Sequence, residues 1–230
     1  MLPGRRARIG VIHLATAMMD HEFYEMCAKG VSIFCTRLRG HPPSIEGLAD
    51  AAEDLVSIKP TSVLYGCTSG SFGPGPEWND KLIKTMEDKL GCPATTNIQG
   101  VVEALKALDA KKVSVTCPYD EDYTNKLKYF LEVKGFEVTN IKRVPTYEDD
   151  FGKFLFSPEK AYQLAKETYT EDADVHFISC AGWRTLPIID VLEKDIGRPV
   201  ISSVQAVMWH AMKLAKINVN MDNKGKLLEI

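Results

Sequence analysis

The chain has 230 residues, 45% hydrophobic and 26% charged, with a formal net charge of −3. That length can bury a substantial core, as one large domain or two small ones. The charge balance leaves no strongly basic face for nucleic acid. No apolar stretch approaches the roughly 18 residues that a membrane span needs, so neither partner is expected.

The first eight residues are basic, but the apolar run behind them, 9–14, is short and contains His13. It is too short for a signal-peptide core and reads as a first strand, with a cytoplasmic location as the expectation. From there, apolar runs alternate with helix-period segments. Strands are predicted over 8–14, 32–38, 62–66, 94–97, 112–116, 137–144, 175–179 and 199–202, and helices over 18–29, 45–58, 78–90, 99–108, 122–134, 158–169, 186–195 and 204–215. Ser157-Pro158-Glu159 is an N-cap followed by proline at the first helical position. Gly91, Gly135 and Gly197 each follow a helical segment and precede a strand, where a left-handed glycine is expected. Strands alternating with helices of this length imply a parallel α/β sheet.

The halves repeat one layout, strand, helix, strand, helix, then a strand ending in cysteine: Cys67 in the first and Cys180 in the second. This predicts a duplicated α/β unit, with two parallel-sheet lobes. The first lobe would comprise 1–103 plus 204–230, the terminal helix packing back onto it, and the second 104–203. No Gly/Ser-rich linker separates the lobes, so they should be tightly apposed.

Ligands collect at the carboxyl ends of strands in such sheets. Gly66-Cys67-Thr68-Ser69-Gly70-Ser71 is the richest candidate, because small residues let backbone approach a ligand and successive N–H groups bind anions. Cys180-Ala181-Gly182 repeats the logic, and Arg184 beyond it is either a carboxylate ligand or a solvated surface group. Two thiols on opposite sides of a carbon suit a racemase, one as thiolate and one as thiol. A single thiolate adding to a double bond and leaving again gives cis–trans isomerisation. A single thiol protonating a carbanion after loss of CO₂ gives decarboxylation. Each requires donors for an enolate-like dianion, and Tyr119, just beyond a strand end, is a candidate donor or a packing aromatic.

The six cysteines have no CxxC pair and no zinc-like spacing, so no metal is expected. Cys117, before a proline, reads as packing. His13 ends a strand and could line the cleft, His176 reads as a hydrogen-bonded core residue, and Trp209-His210 as helix packing. Gly70-Ser71-Phe72-Gly73-Pro74-Gly75 has the wrong spacing for a dinucleotide or phosphate loop, so no nucleotide cofactor is expected. Pocket shape should depend on Leu14, Ala17, Phe72 and Trp183.

The segments Tyr65-Gly66-Cys67-Thr68-Ser69-Gly70-Ser71-Phe72, Ser179-Cys180, 188–203, Pro118-Tyr119 through Asn125, and Gln205-Ala206 with Trp209 resemble the aspartate/glutamate racemase superfamily. Within it, the branch of maleate cis–trans isomerases and arylmalonate decarboxylases is closest. The resemblance implies two Rossmann-like lobes related by a pseudo-twofold axis with the active site between them. It also implies a cofactor-independent isomerase or racemase of a small carboxylate, with a decarboxylase using Cys180 alone as the alternative, and a possible homo-oligomer. By the same resemblance Cys67 is the nucleophile or one acid/base and Cys180 the second acid/base or proton donor. Thr68, Ser69, Gly70, Tyr119 and the Ala181/Gly182 backbone hold the carboxylate. The chain departs from the isomerases at Ala17 and Val204, where they resemble one another in Asn, and has no matching Asn around 148–154. It departs from the decarboxylases in having Cys67.

Overall fold

The computed structural model describes residues 4–17, 20–144, 152 and 155–230. Among these residues eight strands are found: β1 (Ala7–Leu14), β2 (Val31–Leu38), β3 (Ser62–Tyr65), β4 (Ala94–Thr96), β5 (Lys112–Cys117), β6 (Glu137–Arg143), β7 (Val175–Ile178) and β8 (Val200–Ser202). They form two parallel sheets, ordered β2-β1-β3-β4 and β6-β5-β7-β8. The second order is the first shifted by four strands, so the predicted duplication is present in the topology itself. β3 and β7 are buried at every position, as expected of strands covered on both faces.

The helices are α1 (Asp20–Glu25), α2 (Ile45–Glu53), α3 (Thr68–Phe72), α4 (Pro76–Leu90), α5 (Asn97–Ala107), α6 (Glu121–Val133), α7 (Pro158–Thr168), α8 (Ile189–Ile196) and α9 (Ser203–Leu214). Ser157 caps α7 as its sequence indicates, accepting from Lys160 N. Gly91, Gly135 and Gly197 all have positive φ, at 62°, 94° and 68°. Two predicted helices are shorter in the structure. α1 ends at Glu25, and the segment expected over 45–58 stops at Glu53 and resumes as a single 3-10 turn, Val56–Ile58.

α9 packs on α5 and reaches β3 and β4. The two helices touch at Gly100, where an added Cβ would lie 2.6 Å from Val207 Cα and 2.9 Å from the Ala206 carbonyl. Side-chain bonds tie α9 to the sheet as well: Ser62 of β3 donates to Ala211 O at 2.8 Å and Thr95 Oγ1 of β4 lies 2.8 Å from His210 Nδ1. Ser202 and Gln205 close α9 with a capping box.

Candidate active site

A cavity of about 760 Å³ opens at the carboxyl ends of five strands. Residues 14–17 follow β1, 38–41 follow β2, 66–69 follow β3, 118–120 with Tyr123 follow β5, and 180–182 follow β7. Both sheets therefore deliver loops to one cleft, the arrangement that parallel α/β sheets impose on their ligands. Cys67 and Cys180 both line it, as do Thr68, Ser69, Tyr119, Ala181 and Gly182.

The turn after β3 becomes α3, with Cys67 as its N-cap: the sulfur accepts the Gly70 N–H at 3.4 Å. An amide donor aimed at sulfur favours thiolate over thiol. The turn is held from three sides. Asn97 donates to Thr68 Oγ1 at 3.1 Å, Ser71 donates to the Thr68 carbonyl at 2.7 Å, and Trp78 donates to the Gly70 carbonyl at 3.1 Å. Gly70 was expected to bind substrate, but it is buried and does not line the cavity. Its role is steric, since a Cβ there would sit 2.6 Å from the Tyr65 hydroxyl and 3.1 Å from Cys67 Sγ.

Cys180 has the equivalent arrangement, its sulfur accepting the Gly182 N–H at 3.1 Å. Both thiols are sheltered, at 7% and 6% exposure, yet open to the cavity. Tyr119 lies 3.3 Å from Ser179 Oγ, and burial, reinforced by the nearby Cys180, holds its phenol well above the usual range. It is thus a neutral hydrogen-bond donor at any working pH. Beyond Cys180 the loop is tied to α1: Glu22, 1% exposed, accepts the backbone N–H of Thr185 at 2.7 Å and of Leu186 at 2.9 Å. Burial pushes the Glu22 carboxyl up to about 7.

Several expectations need correction. His13 does not line the cavity; it is buried with Nε2 2.8 Å from Asp20 Oδ1, because its side chain turns toward Phe23 and α1. Phe72 and Trp183 are fully buried behind the wall, Phe72 edge-on to Tyr119 and Trp183 stacked on Phe156. Leu14 and Ala17 do line it. Val204 is fully buried in the core, and Arg184 is exposed outside the lining, in keeping with the surface reading of the two it was given. Residues 148–154, apart from Gly152, lie outside the described residues. His176 and Cys117 behave as read: His176 lies 2.8 Å from Ser114 Oγ and 3.0 Å from Thr116 Oγ1, with burial lowering it to about 3, and Cys117 is buried.

Sequence reasoning missed His41 and Tyr123. His41 Nε2 lies 2.8 Å from Ser69 Oγ, and its ring packs 5.6 Å from that of Tyr123. Among the described residues, one group has the geometry to hold a metal: His13, Asp20 and Cys35. Arg37, at 2.5 Å, already neutralises Asp20 there, so the donor set is not one that calls for a cation.

Two parallel α/β lobes, each ending a central strand in a thiol that faces the shared cleft, define an enzyme of the two-lobed, paired-cysteine class. The arylmalonate decarboxylase family model matches residues 9–228, and the chain belongs to that family. Its relatives include both expected activities. The arylmalonate decarboxylase of Bordetella bronchiseptica is 28% identical over 194 residues, covering 82% of this chain and 79% of that protein. The maleate isomerase of Nocardia farcinica is 24% identical over 210 residues, covering 86% and 83%. A mutant of the Nocardia isomerase solved with a covalently bound succinylcysteine intermediate has the same fold, with a TM-score of 0.88 at 22% identity over 97% of this chain and 98% of that one.

Proposed function

We propose that the protein is a cofactor-independent isomerase of a small carboxylate, working through Cys67 and Cys180. The observation that carries this reading is the placement of both sulfurs on one cavity, each accepting a backbone N–H from its own turn. A purely binding protein needs donors for a carboxylate and has no use for two oriented nucleophiles.

In the cis–trans form of the reaction, the Cys67 thiolate adds to one alkene carbon while the Cys180 thiol protonates the other. The resulting single bond rotates. Cys180, now thiolate, removes the proton again, and the C–S bond to Cys67 breaks as the alkene re-forms. The succinylcysteine intermediate of the Nocardia relative is an adduct of this kind. In the racemase form, one thiolate removes the α-proton and the opposite thiol returns one from the other face. In both, Thr68, Ser69, Tyr119 and the Ala181/Gly182 backbone hold the carboxylate as negative charge develops on it. Metal and cofactor have no part in these steps.

A second reading, decarboxylation of a substituted malonate with Cys180 as proton donor, is favoured by the cavity, whose roughly 760 Å³ is roomy for a four-carbon acid. We place the enzyme in the cytoplasm, since Cys27, Cys35, Cys92 and Cys117 are thiols rather than disulfides. No helix among the described residues is long and apolar enough to cross a membrane.

The test is proton NMR in D₂O with maleate, substituted malonates, hydantoins and chiral amino and hydroxy acids. A geometric isomer or an α-deuterated acid is the expected product. Loss of CO₂ alone, from a malonate, would move the assignment to the second reading, and no turnover of any acid would overturn both.

A further inference from the structure

The two thiols are not equivalent in what lies behind them. Ser69 Oγ is 3.9 Å from Cys67 Sγ, within reach of a sulfur hydrogen bond, and 2.8 Å from His41 Nε2 on its far side. A thiol, a hydroxyl and an imidazole thus stand in a row along the cavity wall. The hydroxyl has one proton to give and lone pairs to receive another, so it can pass a proton without changing its own state. Cys180 has a different neighbourhood, with Ser179 bonded to the Tyr119 phenol, which burial keeps protonated.

We propose that His41 is the positioning residue that sets Cys67 as the thiolate of the pair, acting through Ser69. The Cys67 S–H bond breaks as its proton goes to Ser69 Oγ, and the Ser69 proton goes to His41 Nε2. The products are a thiolate and an imidazolium with its other proton on Nδ1. The reverse transfer restores the thiol when the site is empty. A free imidazole titrates near 6.5 and a free thiol near about 8.5, so the transfer needs help. The Gly70 N–H on the sulfur supplies it, since that amide favours the anion. Cys180 is left as the proton-bearing partner, the role the cis–trans form of the reaction gives it.

The charged and titratable groups around the row are few. Arg39 lies on the same loop as His41, and it makes no ion pair or hydrogen bond among the described residues. Asp120 faces the cavity from the start of α6, where it caps the helix by accepting from Tyr123 N at 2.8 Å. Tyr123 packs on the His41 ring, and Lys126 Nζ lies over the Tyr123 ring, 5.0 Å from its centroid. Tyr65 stands beside Cys67, and burial keeps its phenol protonated. Neither Arg39 nor Asp120 reaches Ser69 among the hydrogen bonds of the described residues.

This inference rests on Cys67 being the reactive thiol, yet its test needs no turnover. Site-resolved alkylation by iodoacetamide, followed by peptide mass spectrometry from pH 5 to 9, reads the thiolate fraction at each cysteine. The wild-type protein is compared with His41→Asn and Ser69→Ala. Cys67 should titrate below Cys180 in the wild type. Each substitution should raise its inflection by a unit or more, about tenfold slower alkylation at pH 7, with no further loss in the double variant. Buried Cys117, unreactive while the fold holds, reports any variant that unfolds. Unchanged Cys67 inflections in both variants, or equal shifts at Cys67 and Cys180, would overturn the proposal. If the alkylation pattern holds and no acid is turned over, the relay stands and the reaction assignment falls.

Discussion

Glu22 and His176 are both buried titratable groups, and their consequences run in opposite directions. Glu22 has a folded value near 7 against an ordinary 4.5. The folded state therefore prefers the protonated acid: its contribution is complete below about pH 4.5 and is lost as pH rises through 7, at most about 3 kcal/mol. His176 is lowered from 6.5 to about 3, so its contribution is present above 6.5 and lost as pH falls, by up to about 1.4 kcal/mol per unit. In the wild type the two slopes oppose one another between pH 4.5 and 6.5. Glu22→Gln keeps an acceptor for the Thr185 and Leu186 amides but removes the titration. Urea midpoints of that variant should rise between pH 4.5 and 6.5 and stay level from 6.5 to 8, where the wild type declines. A variant that still declines above pH 6.5 would show that the slope belongs elsewhere. The partners of Glu22 and of His41 were not visible along the chain. Glu22 looks like an ordinary first-turn acid until the loop beyond Cys180 arrives from the other half, and His41 sits in a Gly-His-Pro-Pro stretch whose only cue is the ring itself.

At the scale of the element, strands were the most legible part, because short segments rich in β-branched and apolar residues, bounded by glycine, proline or polar residues, alternate with helix-period segments along the chain. α3 was the least legible. Its five residues, Thr68 to Phe72, include glycine and two serines, poor helix formers. The turn forms because Cys67 caps it and Asn97, at the head of α5, holds Thr68. The facing of Phe72 and Trp183 was likewise unreadable, since a buried aromatic and a cavity-lining one have the same local sequence. The contact between α5 and α9 offers a prediction at this scale. Gly100→Ala places a methyl 2.6 Å from Val207 Cα and 2.8 Å from Val207 N, and neither backbone atom can swing aside. The loss should be about 1–3 kcal/mol, as for other overpacked sites, read as a lower urea midpoint with unchanged far-ultraviolet dichroism. An unaltered midpoint would mean that the helices separate at little cost.

Across the whole molecule, the duplication is what makes the site. Two sheets of identical strand order present the loops after β3 and β7 to one cleft, and each loop carries a sulfur held by the amide two or three residues on. The repeat of strand-then-cysteine was legible in the sequence because each lobe encodes it locally. How the lobes face one another was not, since it depends on long-range ties such as those from Glu22 to the Thr185 and Leu186 amides. The central claim is that the two thiols act as one unit on one substrate. The measurement that tests it most directly is the turnover of an accepted acid by Cys67→Ser, Cys180→Ser and the double variant under the same conditions. Groups that act as a unit lose their effect together, so each single variant should fall nearly as far as the double. A Cys67→Ser protein that keeps most of the wild-type rate while Cys180→Ser loses it would contradict the paired mechanism and leave a one-thiol enzyme.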